Sequence, residues 1–146
     1  MEKTLSVKLN KYLASLGVEY IKLHNLHWNV VGINFKAIHE YLEALYDGVT
    51  ASLDAVAELL KMHEETPLAS TKEFLEFSIV KELPSVEIKG VDSLKIVLED
   101  FEMMKKLAEE IRLEADENNI YDVVAMMEGD LAQYNKSIWF IKSMLK

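Results

Sequence analysis

The apolar residues of this chain recur every three or four positions through four long segments, and this spacing constrains the fold more than any other feature. A spacing of this kind keeps one stripe of an α-helix facing a core. The 146 residues include only five glycines and two prolines, too few turn residues for a many-stranded β protein. The stripes run over Leu5–His27, Ile38–Leu60, Leu94–Ala115 and Ile120–Leu145. We therefore predict four long helices.

Two of the three connections between these helices are short. Gly32 interrupts the first pair of helices, and Asn34 is predicted to cap the second helix. The segment "ADENN" (115–119) offers a tight turn between the third and fourth helices. Because short loops join antiparallel neighbours, each pair should form a helical hairpin.

The remaining connection is long and runs from about Glu64 to Val91. Within it, Ser70 and Glu73 have the spacing of a capping box, which predicts a short helix over 71–78. Asp92 is predicted to cap the third long helix. Two hairpins joined by one long crossover are typical of the ferritin-like connectivity. We predict an all-α, ferritin-like four-helix bundle that forms a single domain over residues 1–146, with a short extra helix in the crossover.

The composition excludes several functional classes. There is no cysteine, so disulfides, thiolate chemistry and sulfur-based zinc sites are ruled out. The net charge of −9 does not favour nucleic acid as a partner, because such binding requires a basic surface. The chain begins without the layout of a signal peptide, and no apolar stretch approaches the roughly 20 residues of a membrane span. We expect a soluble cytoplasmic protein with no membrane partner.

The second helix carries two pairs of potential metal ligands, His39 with Glu43 and Asp54 with Glu58. Each pair is spaced i, i+4, and all four positions fall within an arc of roughly 100°. His39 and Glu58 are nevertheless about 28 Å apart along the axis at 1.5 Å per residue, too far to share one ion. A second copy of the helix, laid antiparallel about a two-fold axis near Gly48, would bring one pair against the other pair of its partner.

His27 joins this set through the geometry of the first hairpin. His27 and His39 lie six residues to either side of Ile33, where the turn is centred, so they should sit at the same level. One chain would then supply His27, His39 and Glu43, and its partner would supply Asp54 and Glu58. Histidine and carboxylate ligands suit iron, manganese or zinc better than magnesium or calcium. The sequence has no E-x-x-H motif, so it does not predict an intrasubunit di-iron site.

An ordinary interpretation of the same residues stays open at this point. The three carboxylates would be a solvated helix face, and His27 would be a core or capping residue. The protein would then be a structural or signalling bundle, or a buffer that holds metal without oxidising it.

Several motifs resemble those of one known family. "HNLHWNVVG", then "HEYLE" and "DAVAE", and finally "YNKSIWFIKSML" look like the signature of the Dps-type miniferritins, the DNA-binding proteins from starved cells. The resemblance covers nearly the whole chain. It is closer to members that lack a basic DNA-binding tail, because Lys3 is the only basic residue before the first helix.

This resemblance implies a function and a site. Such proteins are homo-oligomers, with two-fold dimers that assemble into a hollow dodecamer. They bind Fe²⁺ at a ferroxidase centre between subunits, oxidise it with hydrogen peroxide or dioxygen, and store ferric mineral, which protects the cell from oxidative damage. Iron is the implied metal, with zinc or manganese as alternatives in the same site. By position, the metal ligands and catalytic residues would be His27, His39, Glu43, Asp54 and Glu58.

The sequence also departs from the family pattern at informative positions. Position 43 is commonly Asp in the family, and Glu43 is longer by one methylene. The acids that line the family's iron-entry pore lie early in the fourth helix, where Ala125 stands at a position that is commonly Asp. Trp28 would lie beside the centre, although an ordinary packed aromatic residue explains it equally well.

We predict that this protein does not bind DNA strongly, because it has a net charge of −9 and no basic tail. An electrophoretic mobility shift assay at low salt should show free duplex at all protein concentrations near the physiological range. Tight complexes that dissociate as salt is added would contradict this prediction.

Overall fold

The fold contains five α-helices and one pair of two-residue strands, and the computed structural model describes all of residues 1–146. The four long helices predicted from apolar spacing are all present, and the short helix of the crossover is present as well. The elements are α1 (Lys3–Asn29), β1 (Val30–Val31), α2 (Phe35–Met62), α3 (Thr71–Phe77), β2 (Ile88–Lys89), α4 (Gly90–Glu117) and α5 (Tyr121–Leu145).

The long helices form two antiparallel hairpins, α1 with α2 and α4 with α5, and α1 also packs against α4. Gly32 lies in the turn between α1 and α2 with φ of 120°, a conformation that favours glycine over residues with a Cβ. Apolar side chains from all four long helices fill the interior. This is the all-α four-helix bundle predicted from the sequence.

The crossover is anchored to the bundle by α3. Its predicted capping box is formed, since the Glu73 amide donates to Ser70 Oγ at 3.3 Å and Ser70 Oγ donates to Glu73 Oε1 at 2.7 Å. The Phe74 ring covers Gly17 of α1 so closely that a methyl group at position 17 would overlap it. The Phe74 ring and the absence of a side chain at Gly17 therefore determine how closely α3 approaches α1.

The two short strands were not predicted, and because of them α4 begins earlier in the chain than the predicted cap at Asp92 implies. β1 pairs in parallel with β2, with Val30 opposite Ile88 and Val31 opposite Lys89. This pairing brings the start of α4 beside the end of α1, and α4 begins at Gly90 directly after β2. The predicted cap at Asp92 is therefore wrong, because Asp92 already lies in the first helical turn.

The predicted cap at Asn34 is half right. Asn34 does occupy the N-cap position of α2, but its side chain accepts no capping hydrogen bond. Its backbone carbonyl accepts from the Ile38 amide, and the Gly32 carbonyl accepts from the Phe35 amide. No helix is both long and apolar enough to span a membrane.

The core contains a charged cluster between α1 and α4. Lys22 Nζ lies 3.1 Å from Asp100 Oδ1 and 2.8 Å from Asp100 Oδ2, and both side chains are buried. Glu19 lies beside this pair, closed off from water, and neither of its carboxylate oxygens has a hydrogen-bond partner. Burial, followed by the negative charge of Asp100, raises the pKa of Glu19 well above its usual range, while Lys22 opposes the shift.

A second buried polar group joins α1 to α5. The Tyr12 hydroxyl donates to Asp130 Oδ2 at 2.8 Å and lies 2.8 Å from the Tyr134 hydroxyl. Burial is the main cause that raises the pKa of both tyrosines and of Asp130. These hydrogen bonds satisfy phenol groups that would otherwise be costly to bury.

Replacing Glu19 with Gln should make the protein more stable above the pKa of an unperturbed glutamate, near 4.5. The folded state holds the Glu19 proton to a higher pH than the unfolded chain does. The stability that this proton contributes is complete below the unfolded pKa and is lost as pH rises through the folded pKa.

The amide of Gln cannot ionise, so Glu19→Gln does not lose this stability. Between the unfolded and the folded pKa of Glu19, the free energy of unfolding of the variant should therefore rise relative to that of the parent by up to about 1.4 kcal/mol per pH unit. Denaturant titrations of both chains at a series of pH values measure this difference. A difference that stays constant with pH would show that Glu19 is not held protonated.

Candidate metal centre

His27 of α1 and His39 of α2 lie side by side near the turn of the first hairpin, at the common level that the sequence predicts. Their rings are stacked, with centroids 3.7 Å apart and an angle of 11° between planes. Each Nδ1 lies 2.7 Å from the backbone carbonyl oxygen of the other histidine. The two residues therefore hold one another through a pair of reciprocal hydrogen bonds.

These hydrogen bonds determine which ring nitrogens are available to a metal. A carbonyl oxygen can only accept, so Nδ1 must carry the proton in both histidines. In the neutral ring, Nε2 then keeps its lone pair. Histidines that ligate metals are usually oriented in this way, with the other ring nitrogen donating to a carbonyl or a carboxylate. The hairpin presents two such nitrogens next to each other.

Glu43 lies one helical turn beyond His39 and adds a carboxylate to the pair. Its Oε1 is 4.0 Å from His27 Nε2, and its side chain is 55% exposed. The same oxygen accepts a hydrogen bond from the Tyr46 hydroxyl at 3.1 Å. Three of the five sequence-predicted ligands, His27, His39 and Glu43, thus lie near one another at one end of α2, although they are not close enough in the single chain to hold a metal ion together.

Asp54 and Glu58 do not join this group within the chain. Both are exposed on α2, and eleven residues separate Glu43 from Asp54, or about 16 Å at the helical rise. No three His, Asp or Glu side chains of one chain approach closely enough to hold a metal ion together. Asp54 instead borders an apolar groove between α2 and the crossover, lined by Leu13, Leu53, Leu68 and Phe74.

Sequence reasoning missed the aromatic support of Glu43. Tyr46 is half-buried, and its ring stacks on His24 at 3.8 Å with an angle of 22°. His24 Nδ1 lies 2.6 Å from the Tyr20 carbonyl oxygen of the preceding turn. Desolvation, followed by the hydrogen bond to Glu43, raises the pKa of Tyr46, so the phenol remains a donor. The spacing of Tyr46 three residues after Glu43 is the one sequence signal that indicates this contact.

His63 and Trp139 lie apart from this group, whereas Trp28 lies at its edge beside His24. His63 ends α2 and contacts Asp122 of α5, with Nε2 2.9 Å from Oδ2. Trp28 is 67% exposed, and its ring lies 5.4 Å from that of His24. Trp139 is 64% exposed on the last helix, whereas Tyr134 is buried.

The chain is similar to known proteins over almost its whole length. A family model described as a ferritin-like domain matches residues 7–146. The antigen TpF1 of Treponema pallidum is 37% identical over 140 residues, which cover 95% of this chain and 78% of that protein. The crystal structure of TpF1 has a TM-score of 0.96, with 98% of this chain and 92% of that chain covered.

Two further relatives carry the name Dps. The DNA protection during starvation protein (Dps) of Brevibacillus brevis is 31% identical over 149 residues, which cover 100% of this chain and 97% of that protein. The Dps protein of Vibrio cholerae O1, described as a member of a broad superfamily of ferritin-like diiron-carboxylate proteins, has a TM-score of 0.94 at 25% identity and covers 99% of this chain and 90% of that chain. The chain therefore belongs to the ferritin-like family and, within it, to the Dps proteins.

Proposed function

We propose that this protein oxidises and stores iron. It binds Fe²⁺ at a centre shared by two copies of the chain, oxidises it with hydrogen peroxide or dioxygen, and retains ferric mineral inside a hollow dodecamer. The removal of Fe²⁺ and peroxide together protects other molecules from oxidative damage. The description of the Vibrio cholerae relative as a diiron-carboxylate protein agrees with iron as the metal.

The paired histidines carry this proposal. Their hydrogen bonds to backbone carbonyls leave both Nε2 atoms free as ligands, and Glu43 lies beside them. On binding, two nitrogens and one carboxylate would supply only part of a coordination sphere, which would leave positions for an oxidant and for further ligands. The reciprocal hydrogen bonds favour a metal site over a solvated helix face, because exposed histidines on such a face would not orient each other's rings.

The remaining ligands would come from a partner copy. Asp54 and Glu58 are exposed toward the opposite end of α2, and an antiparallel α2 of a second chain brings them to the histidines of the first. The arrangement is reciprocal about a two-fold axis, so each dimer has two equivalent centres. Carboxylates then dominate the completed site and stabilise the ferric product, because hard oxygen anions favour the more highly charged ion.

Large exposed apolar side chains support an assembly of several copies. Trp139 and Phe140 are exposed side by side, with ring centroids 5.0 Å apart, and contiguous exposed apolar surface usually marks an interface. The side chains concerned include Trp28, Phe35, Met62, Leu75, Phe77 and Trp139.

The reduction of hydrogen peroxide and the oxidation of Fe²⁺ must involve equal numbers of electrons. Each peroxide takes up two electrons when its O–O bond breaks, and each Fe²⁺ supplies one. Two ferrous ions per peroxide therefore yield two ferric ions and two hydroxides, with no radical released. A site whose bridging carboxylate holds two irons near each other meets this requirement, and Glu58 of the partner chain is our candidate for the bridge.

Removal of the two partner carboxylates should slow the oxidation of Fe²⁺ strongly. Loss of a residue that only supports a metal ligand usually costs about 10–100-fold in activity. Asp54→Ala combined with Glu58→Ala removes two ligands themselves, so it should lower the rate of peroxide-driven Fe²⁺ oxidation by more than that. The measurement is anaerobic stopped-flow absorbance of ferric product after mixing with hydrogen peroxide, on the assembled fraction from size exclusion.

A matched control removes equal charge elsewhere. Glu99→Ala combined with Glu109→Ala takes two exposed carboxylates from α4 and should leave the rate unchanged. An unchanged rate in the Asp54, Glu58 variant would overturn the proposed site. Stoichiometric metal binding without peroxide consumption by the parent chain would instead indicate a metal buffer.

A further inference from the structure

Glu43 is a flexible ligand that needs restraint. Its side chain is more than half exposed and has one more rotatable bond than an aspartate would have at the same position. Ordering a glutamate side chain costs conformational entropy, so an unrestrained Glu43 would be a weak ligand. A neighbouring group must therefore hold the Glu43 carboxylate toward the histidines.

Tyr46 is placed to supply this restraint. Its hydroxyl donates to Glu43 Oε1 at 3.1 Å, and that same oxygen is the one that faces His27 Nε2 at 4.0 Å. The phenol bond directs Oε1 toward the α1 side of the site, and Oε2 keeps its lone pairs for a metal. A hydrogen bond to an ionised carboxylate is among the stronger kinds in proteins.

The Tyr46 ring is itself held in place by α1. It stacks on His24 with centroids 3.8 Å apart, and it meets His27 edge-on at 5.3 Å and 85°. His24 in turn is fixed by its Nδ1 contact to the Tyr20 carbonyl and by the Tyr20 ring at 4.5 Å. A continuous set of contacts therefore runs from the α1 backbone through His24 and Tyr46 to Glu43.

We propose that Tyr46 is a positioning residue for Glu43, and that His24 holds the Tyr46 ring in the orientation this role requires. The inference rests on the proposed function, because it assumes that Glu43 ligates metal. It assigns a role to His24, the one histidine of the "HNLHW" segment that does not itself face the metal centre.

The test measures metal affinity with Co²⁺ as an oxidation-resistant probe. Tyr46→Phe keeps the ring and its stack and removes only the hydroxyl. It should weaken Co²⁺ binding by about 10–100-fold, the usual effect of losing an outer-shell partner, with the number of sites per chain and the melting temperature unchanged. Calorimetric titration of the assembled protein gives both affinity and stoichiometry.

A double-mutant cycle shows whether the effect passes through Glu43. The shorter side chain of Glu43→Asp cannot reach the Tyr46 hydroxyl in the same geometry, so adding Tyr46→Phe to Glu43→Asp should cause no further loss of affinity. Tyr41→Phe is the matched control on the same helix. The Tyr41 hydroxyl lies 3.5 Å from the Ser137 carbonyl on α5, and its removal should leave Co²⁺ affinity unchanged.

His24 is tested by two further variants. His24→Phe retains an aromatic face for Tyr46 and should bind Co²⁺ nearly as the parent does, whereas His24→Ala should weaken binding in the same direction as Tyr46→Phe.

The possible failures are distinguishable. A parent chain that binds no Co²⁺ overturns the proposed function, and this inference with it. A parent that binds Co²⁺, with Tyr46→Phe of equal affinity, overturns this inference alone. An equal loss in the Glu43→Asp background would show that Tyr46 acts on something other than Glu43, and would overturn it too.

Discussion

The register between α1 and α2 is the constraint on which the candidate site depends. It is set at the turn, where Gly32 reverses the chain and β1 ties the end of α1 to β2. Once that register is given, His27 and His39 are level and can exchange Nδ1 hydrogen bonds with each other's carbonyl groups. A slip of one residue along either helix would rotate a side chain by about 100° and separate the two rings.

Much of this arrangement follows from the sequence because it depends on local periodicity. Apolar spacing predicts the four long helices, Ser70 and Glu73 predict α3, and the equal distances from Ile33 predict the level of the two histidines. Each of these inferences needs only the geometry of one helix or of one hairpin.

The features that the sequence could not predict depend on contacts between distant segments. The start of α4 is moved to Gly90 by strand pairing with residues that lie far earlier in the chain, which no capping pattern at Asp92 reveals. His63 follows the last residue of α2, and only the fold brings it into contact with Asp122 of α5. Trp139 is exposed in the single chain, although its large apolar ring is of a type common in cores, because residue type alone does not determine which face of a helix is buried.

The parallel pairing of β1 with β2 has a consequence for the entropy of folding. Each hairpin closes a short loop, whereas the contact of Val30 with Ile88 closes a loop that includes all of α2 and α3. Loop-closure entropy grows with the length of the loop, so this pairing costs more of it than either hairpin turn does. The hairpin that carries His27, His39, Glu43 and Tyr46 is built from near neighbours in the chain. The geometry that faces the metal is therefore carried by contacts within one hairpin, which have a low contact order.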